Sequence, residues 1–303
     1  MQQPVRRTIL IASPGPFGDR LPGVLPDVRS LSSYFQTPKG GSWHKDEITL
    51  LIDPSRQRVL NMIAGVDADF LRVYFCGHGM AEFTHDGFGG LTDTRWPCLP
   101  GDEFVCDLEL INKKVPRQEI ICDCCRTRPR DRISGIPETI EEVPFSEEEF
   151  WLARRIFDQH IANSPNGITL FHSTADGEPA RDSDKGGQFT IALLENALNW
   201  QTTASDKTAS LAELFRKVAD QLKRAYYPQY PEILIQDGDM CVPFALNTPW
   251  PLYGKDRFPP RYRHRSLEPI QHSNSNPVRV LLTIGIVLAG TWLLTEGLNS
   301  SGK

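Results

Sequence analysis

Short apolar runs of strand length alternate with longer segments of helical periodicity through most of this chain, and that alternation leaves few folds open. Runs suited to strands occur at residues 8–12, 48–52, 71–76, 119–124, 168–172 and 232–235. Helical segments fall between and after them at 26–35, 55–64, 147–162, 189–200 and 210–225. In the fourth of these, Phe189, Leu193, Ala197 and Trp200 share one face, as packing against a core requires. Strands that alternate with helices imply an α/β fold with a mostly parallel six-stranded sheet, covered on both sides. This organisation is expected over residues 1–247. Residues 80–104, with GFGGLTDTRWP, break the alternation and read as a hairpin or irregular excursion. Residues 127–143 read as a charged loop, with Arg128, Arg130 and Arg132 followed by Glu138, Glu141 and Glu142.

The end of the chain has a different character. Residues 248–277 are rich in Pro, Arg, Ser and Asn without apolar periodicity, and read as a juxtamembrane linker. VLLTIGIVLAGTWLLT, residues 280–295, is a run of 16 uncharged residues between Arg279 and Glu296. At about 1.5 Å per residue it falls short of the ~30 Å hydrocarbon core, and Val278 and Leu298 extend it if Arg279 snorkels. A transmembrane helix is therefore expected at 278–298, followed by a short tail at 299–303. A buried core helix is the competing reading, but the run is apolar on every face. Lys255, Arg257, Arg261, Arg263, Arg265 and Arg279 outnumber Asp256 and Glu268, which puts the N-terminal part on the cytoplasmic side of a single-pass membrane protein. No leader-like segment precedes Thr8, so free thiols in a reducing compartment are expected. The net charge of −5, with no Lys/Arg stripe in the body of the chain, excludes a nucleic-acid partner.

In an open parallel sheet, ligands bind outside the carboxyl ends of the strands. Two such ends carry reactive side chains. LRVYFCGHG runs into Gly77-His78-Gly79, where flanking glycines permit a sharp turn and leave the imidazole uncovered. EIICDCC ends in Cys125. If the two strands are neighbours, roughly 4.8 Å apart, a His and a Cys share one cleft. Alternation sends Asp123 and Cys125 to one side of the sheet and Cys122 and Cys124 to the other. The seven cysteines allow other readings: a zinc or redox site on Cys122 and Cys125, or plain burial of all three clustered thiols. A lone CxxC without a second pair or a finger-spaced His carries little weight, and a Cys activated by imidazole carries more.

With these residues in view, the chain resembles the caspase-like cysteine peptidases, bacterial members included. YFCGHG is similar to the family's S-G-H-G strand end, with Cys76 where serine is common. Asp123-Cys124-Cys125-Arg126 is similar to its D-x-C-R, and His78 and Cys125 are 47 residues apart, near the caspase spacing of about 50. LPGVLPDVRSL resembles the segment after the first strand, and ITLFHSTADGEPARDS with GGQFTIALLENAL resembles the later strand, pocket and helix. The resemblance implies a caspase-like α/β/α sandwich and a His-Cys dyad. Cys125 is the implied nucleophile, His78 the proton carrier, and the N–H groups of Gly79 and Cys125 the oxyanion hole. His172, also at a strand end, is a rival base. As in metacaspases, Asp123 would line a pocket for Arg or Lys before the cut, with Asp176 as a second carboxylate. Arg20 is the residue that would instead suit an Asp-specific enzyme.

The family also implies self-cleavage in the charged loop, a protein substrate, a separately encoded activator, and a place in bacterial antiviral defence or cell death. No cofactor or metal is expected. The calcium dependence of some metacaspases has no EF-hand-like spacing to mark it here. A catalytically silent scaffold on the same fold is the alternative function.

Overall fold

The computed structural model of the chain describes residues 3–15, 20–85, 91–101, 103–124, 145–175, 178–201, 208–225, 229–237 and 240–247. The linker and apolar segment beyond residue 247, and the charged loop at 127–143, lie outside the described residues.

Eight consecutive residues make β1 (Arg6–Ser13), all but Arg7 buried. Its even-numbered side chains Leu10 and Ala12 enter one apolar cluster and the odd-numbered Ile9 and Ile11 enter another. That division is the mark of a strand covered on both faces. After α1 (Val24–Gln36) come β2 (Ile48–Ile52), α2 (Arg56–Ala64) and β3 (Phe70–Gly77), every residue of β3 being buried. A hairpin follows, with β4 (Gly79–His85) and β5 (Leu91–Leu99) antiparallel and the short β6 (Glu103–Phe104) added to β5. This is the excursion expected where the alternation breaks.

The second half holds β7 (Arg117–Cys124), α3 (Glu147–Asn163), β8 (Gly167–His172) and the two-residue pair β9 (Asp182–Ser183) and β10 (Gly186–Gly187). It ends with α4 (Gln188–Leu198), β11 (Thr208–Ser210), α5 (Leu211–Lys223), β12 (Glu232–Asp237) and β13 (Pro243–Leu246). The main sheet has six strands in the order β12-β8-β7-β3-β1-β2. All its pairings are parallel except that of β12 with β8. The short pairs β9–β10 and β11–β13 lie outside that sheet, and their few residues have no periodicity to reveal them in sequence.

Helices α1, α4 and α5 supply Val28, Leu31, Phe189, Leu193, Leu214 and Val218 to one face of the sheet, and α2 supplies Val59 and Ile63 to the other. Helix starts follow capping chemistry rather than apolar period. Ser55, Ser146 and Ser210 each accept the N–H three residues on, so Ser55 and Ser210 stand before their helices instead of inside them. Helix α1 starts at Val24, two residues ahead of the expected Pro26. Pro26 is tolerated there because the first helical turn has no N–H partner to lose.

Away from the strand ends, the sheet buries charge as well as hydrocarbon. Arg72 of β3, fully buried, donates from Nε to Oε2 of Glu119 on β7 at 2.8 Å. Its guanidinium lies 4.9 Å from the Phe244 ring and 5.2 Å from that of Phe35. The pairing leaves neither ion unmatched in the core.

Candidate active site

The two reactive strands are neighbours. β3 and β7 run parallel in register from Leu71 with Gln118 to Gly77 with Cys124. His78 is the next residue on one strand and Cys125 the next on the other; Cys125 and Asp176 lie outside the described residues. The His78 N–H donates to the Ser13 carbonyl at 3.3 Å and its carbonyl accepts from the Cys98 N–H at 2.9 Å. The backbone at the half-buried imidazole is thus held between the end of β1 and β5. Gly77 serves packing rather than turning: a Cβ there would meet the Ser13 carbonyl oxygen at 2.4 Å. Gly79, buried, opens β4 opposite Pro97.

Side-chain alternation at the end of β7 is as expected. Cys122 and Cys124 pack in the apolar cluster on the α2 side. Asp123 points the other way, toward α1 and α4. His172 registers with Cys122, is 1 % exposed and holds Asp107 at 3.0 Å through Nε2. It therefore belongs to the face opposite Asp123, which argues against its role as the rival base. Arg20 is exposed and does not line the cavity described next.

That cavity opens on the Asp123 side and is lined by Asp27, Cys76, Asp123, Arg181, Asp182 and Gly187. Each carboxylate has its own tie. Asp27 of α1 accepts the Gly187 N–H at 2.8 Å. Asp182 of β9 accepts the Gly23 N–H at 3.1 Å. Asp123 accepts the Thr190 hydroxyl at 2.6 Å. Glycine is required where these groups converge. A Cβ on Gly187 would lie 3.0 Å from Asp123 Oδ2 and 3.1 Å from Asp27 Oδ2. Gly186, at φ +136°, has a backbone that other residues rarely adopt.

Burial is the main reason that all three carboxyls hold their protons more tightly than usual. The effect is strongest for Asp27, which also faces the charge of Asp123; Asp182, nearer solvent, is raised to about 6. Burial and the same carboxylates push the Cys76 thiol well up. Burial raises the cost of carrying charge on these acids, and a cation brought among them would offset that cost. Asp27 and Asp182 sit inside the two segments LPGVLPDVRSL and HSTADGEPARDS already singled out, yet nothing in sequence ties them to Asp123. Among the described residues, no group of three or more His, Cys, Asp or Glu side chains is arranged to hold a metal ion.

A search for known families matches residues 15–237 to the caspase domain. The chain belongs to the caspase domain family. That membership indicates a cysteine peptidase, a hydrolase, built on a caspase-like α/β fold with a mostly parallel sheet. Among solved structures, a protein from Geobacter sulfurreducens is similar at 16% identity, with 80% of this chain and 100% of that one covered and a TM-score of 0.45. Caspase-1 from Spodoptera frugiperda is similar at 16% identity, covering 76% of this chain and 87% of that one, with a TM-score of 0.46. No curated protein is similar enough in sequence to count as a match. Among the described residues of this caspase-domain chain, no helix is long and apolar enough to cross a membrane.

Proposed function

We propose that the chain is a membrane-tethered cysteine endopeptidase that cuts protein substrates after arginine or lysine, with His78 and Cys125 as its dyad. The observation that carries the specificity is the convergence of Asp27, Asp123 and Asp182 on one cavity at the carboxyl ends of β3 and β7. In the reaction, the Cys125 thiolate attacks the scissile carbonyl carbon, and the N–H groups of Gly79 and Cys125 stabilise the oxyanion. His78 protonates the departing amine, leaving a thioester on Cys125 that water then hydrolyses. A basic side chain in the acidic cavity holds the scissile bond over the nucleophile.

One observation favours cleavage after aspartate instead: Arg181 also lines the cavity. Three carboxylates against a single guanidinium support the reading with a basic residue. Residues 278–298 are the proposed anchor, with the peptidase domain on the cytoplasmic side; an activator encoded elsewhere and a role in defence or cell death belong to the same reading. A silent scaffold on this fold is the alternative.

The experiment uses the full-length chain with fluorogenic peptides ending in Arg, Lys or Asp, and compares wild type with Cys125→Ala and Cys124→Ala. Cleavage after Arg or Lys that is lost in Cys125→Ala and kept in Cys124→Ala is the expected result. Cleavage after Asp alone overturns the pocket assignment and keeps the peptidase. Equal activity in Cys125→Ala overturns the dyad.

A further inference from the structure

Of the three carboxylates in the cavity, Asp27 and Asp182 accept from backbone N–H groups, and Asp123 accepts from a side-chain hydroxyl at 2.6 Å, with the Thr190 N–H and the Ser173 hydroxyl also directed at it. The hydroxyl at 2.6 Å belongs to Thr190, in the first turn of α4, and it is fully buried. Its oxygen also lies 2.8 Å from the hydroxyl of Tyr74, on β3 and equally buried. The direction of this chain follows from proton counting. Thr190 has one hydroxyl proton, and an ionised carboxylate can only accept, so that proton goes to Asp123. Tyr74 must then donate to Thr190. Two O–H groups in series polarise one another, and the second presents a stronger donor to the carboxylate than an isolated hydroxyl would. The carboxylate also lies at the N-terminal end of α4, where the helix dipole favours negative charge.

We propose that Thr190, supported by Tyr74, is a specificity-positioning residue: its hydroxyl fixes the Asp123 carboxylate as the charged floor of the cavity, and this fixed charge makes the cut follow a basic residue. The proposal rests on the reading of the cavity as the pocket for a basic side chain. Without the hydroxyl, Asp123 is a buried acid beside Asp27 and Asp182. The other groups that face it are Ser173 on the segment after β8, Cys76 on β3 and Arg181 ahead of β9. Asp123 would then hold a proton more tightly still, as one of two neighbouring carboxyls does when they cannot both ionise. An empty pocket with a neutral floor loses its hold on guanidinium before it loses its shape. Tyr74 and Thr190 are fully buried and act through Asp123, so the expected effect is on binding and not on turnover.

The test compares full-length wild type with Thr190→Val, Thr190→Ser and Tyr74→Phe. Valine keeps the shape and removes the hydroxyl, whereas serine keeps the hydroxyl. The readouts are KM and kcat for a peptide ending in Arg across the pH range, and calorimetric binding of agmatine as a guanidinium probe that needs no catalysis. Thr190→Val is expected to raise KM and weaken agmatine about tenfold, in line with losing a hydrogen bond to a charged group, with kcat within about twofold. The acid limb of kcat/KM should move up by about one pH unit, Thr190→Ser should match wild type, and Tyr74→Phe should fall between.

Unchanged KM and agmatine affinity in Thr190→Val, with wild type active on Arg, overturn the role of Thr190 and leave the pocket reading standing. An equal loss in Thr190→Val and Thr190→Ser, or an acid limb that stays in place, overturns it too, since packing alone would do that. Wild type that neither cuts after a basic residue nor binds agmatine overturns the pocket reading and this proposal with it. Should Thr190→Val fail to fold, Tyr74→Phe carries the same comparison.

Discussion

Asp182 carries a measurable cost for being where it is. Its carboxyl, raised from 3.8 to about 6 chiefly by burial, binds a proton in the folded chain over a range where the unfolded chain has already lost it. Stability from this group is therefore full below about pH 4 and is lost as pH rises through about 6. Asp182→Asn keeps an oxygen for the Gly23 N–H and removes the charge. It should raise the urea midpoint at pH 7.5 relative to wild type, with the gap closing toward pH 4; equal midpoints throughout would contradict this. The same variant should bind Arg peptides more weakly, so stability and function pull in opposite directions at this one carboxyl. Cys76 shows the converse case of a thiol in the pocket that is no nucleophile. With its thiol held protonated by burial and nearby carboxylates, iodoacetamide should modify Cys125 well before Cys76, and peptide mapping by mass spectrometry reads the order.

The pocket is built by two elements that clasp each other. The start of α1 gives the Gly23 N–H to Asp182, and β10 gives the Gly187 N–H to Asp27. A Cβ on Gly23 would lie 2.1 Å from Asp182 Oδ1 and 2.4 Å from the Ser183 carbonyl oxygen. Gly23→Ala should thus push the β9–β10 pair away from α1, costing about 1–3 kcal/mol as overpacked sites do, and abolishing cleavage after Arg. Near-wild-type kcat/KM in that variant would show that the clasp does not shape the pocket. The capping serine of α5 is a milder control. Ser210→Ala should lower stability by about 1 kcal/mol and leave peptide cleavage alone, because no residue of α5 lines the cavity.

For the molecule as a whole, the proposed catalysis and the proposed anchor can be tested separately. The apolar run at 280–295 lies outside the described residues. If that run is an anchor, Ile286→Lys places a charge near its centre at a cost of roughly 2.5–3.5 kcal/mol. The variant should move from the membrane fraction to the soluble fraction with peptidase activity intact. A wild-type chain that is fully soluble when expressed would remove the tether from the proposal and leave the peptidase.

Much of this could be read from the chain alone, for reasons that are local. Alternating apolar runs and helical periods marked all six strands of the main sheet and all five described α-helices, since each period is a property of neighbouring residues. His78 and Cys125 stood out because each ends an apolar strand, and side-chain alternation alone separated Asp123 from Cys122 and Cys124. The pocket was another matter. Asp27 meets Gly187 across 160 positions, Gly23 meets Asp182 across 159, and Thr190 meets Asp123 across 67. No periodicity links residues so far apart, and a glycine reserved for a carboxylate's approach looks like any other glycine. Asp176, the second carboxylate expected beside Asp123, lies outside the described residues, and Asp182, six residues on, lines the cavity without having been singled out. The chain thus determined its own strands, helices and reactive strand ends, while the choice of acids that face one another was left to tertiary packing, because only the folded domain brings α1, β7, β9 and α4 to the same few ångströms.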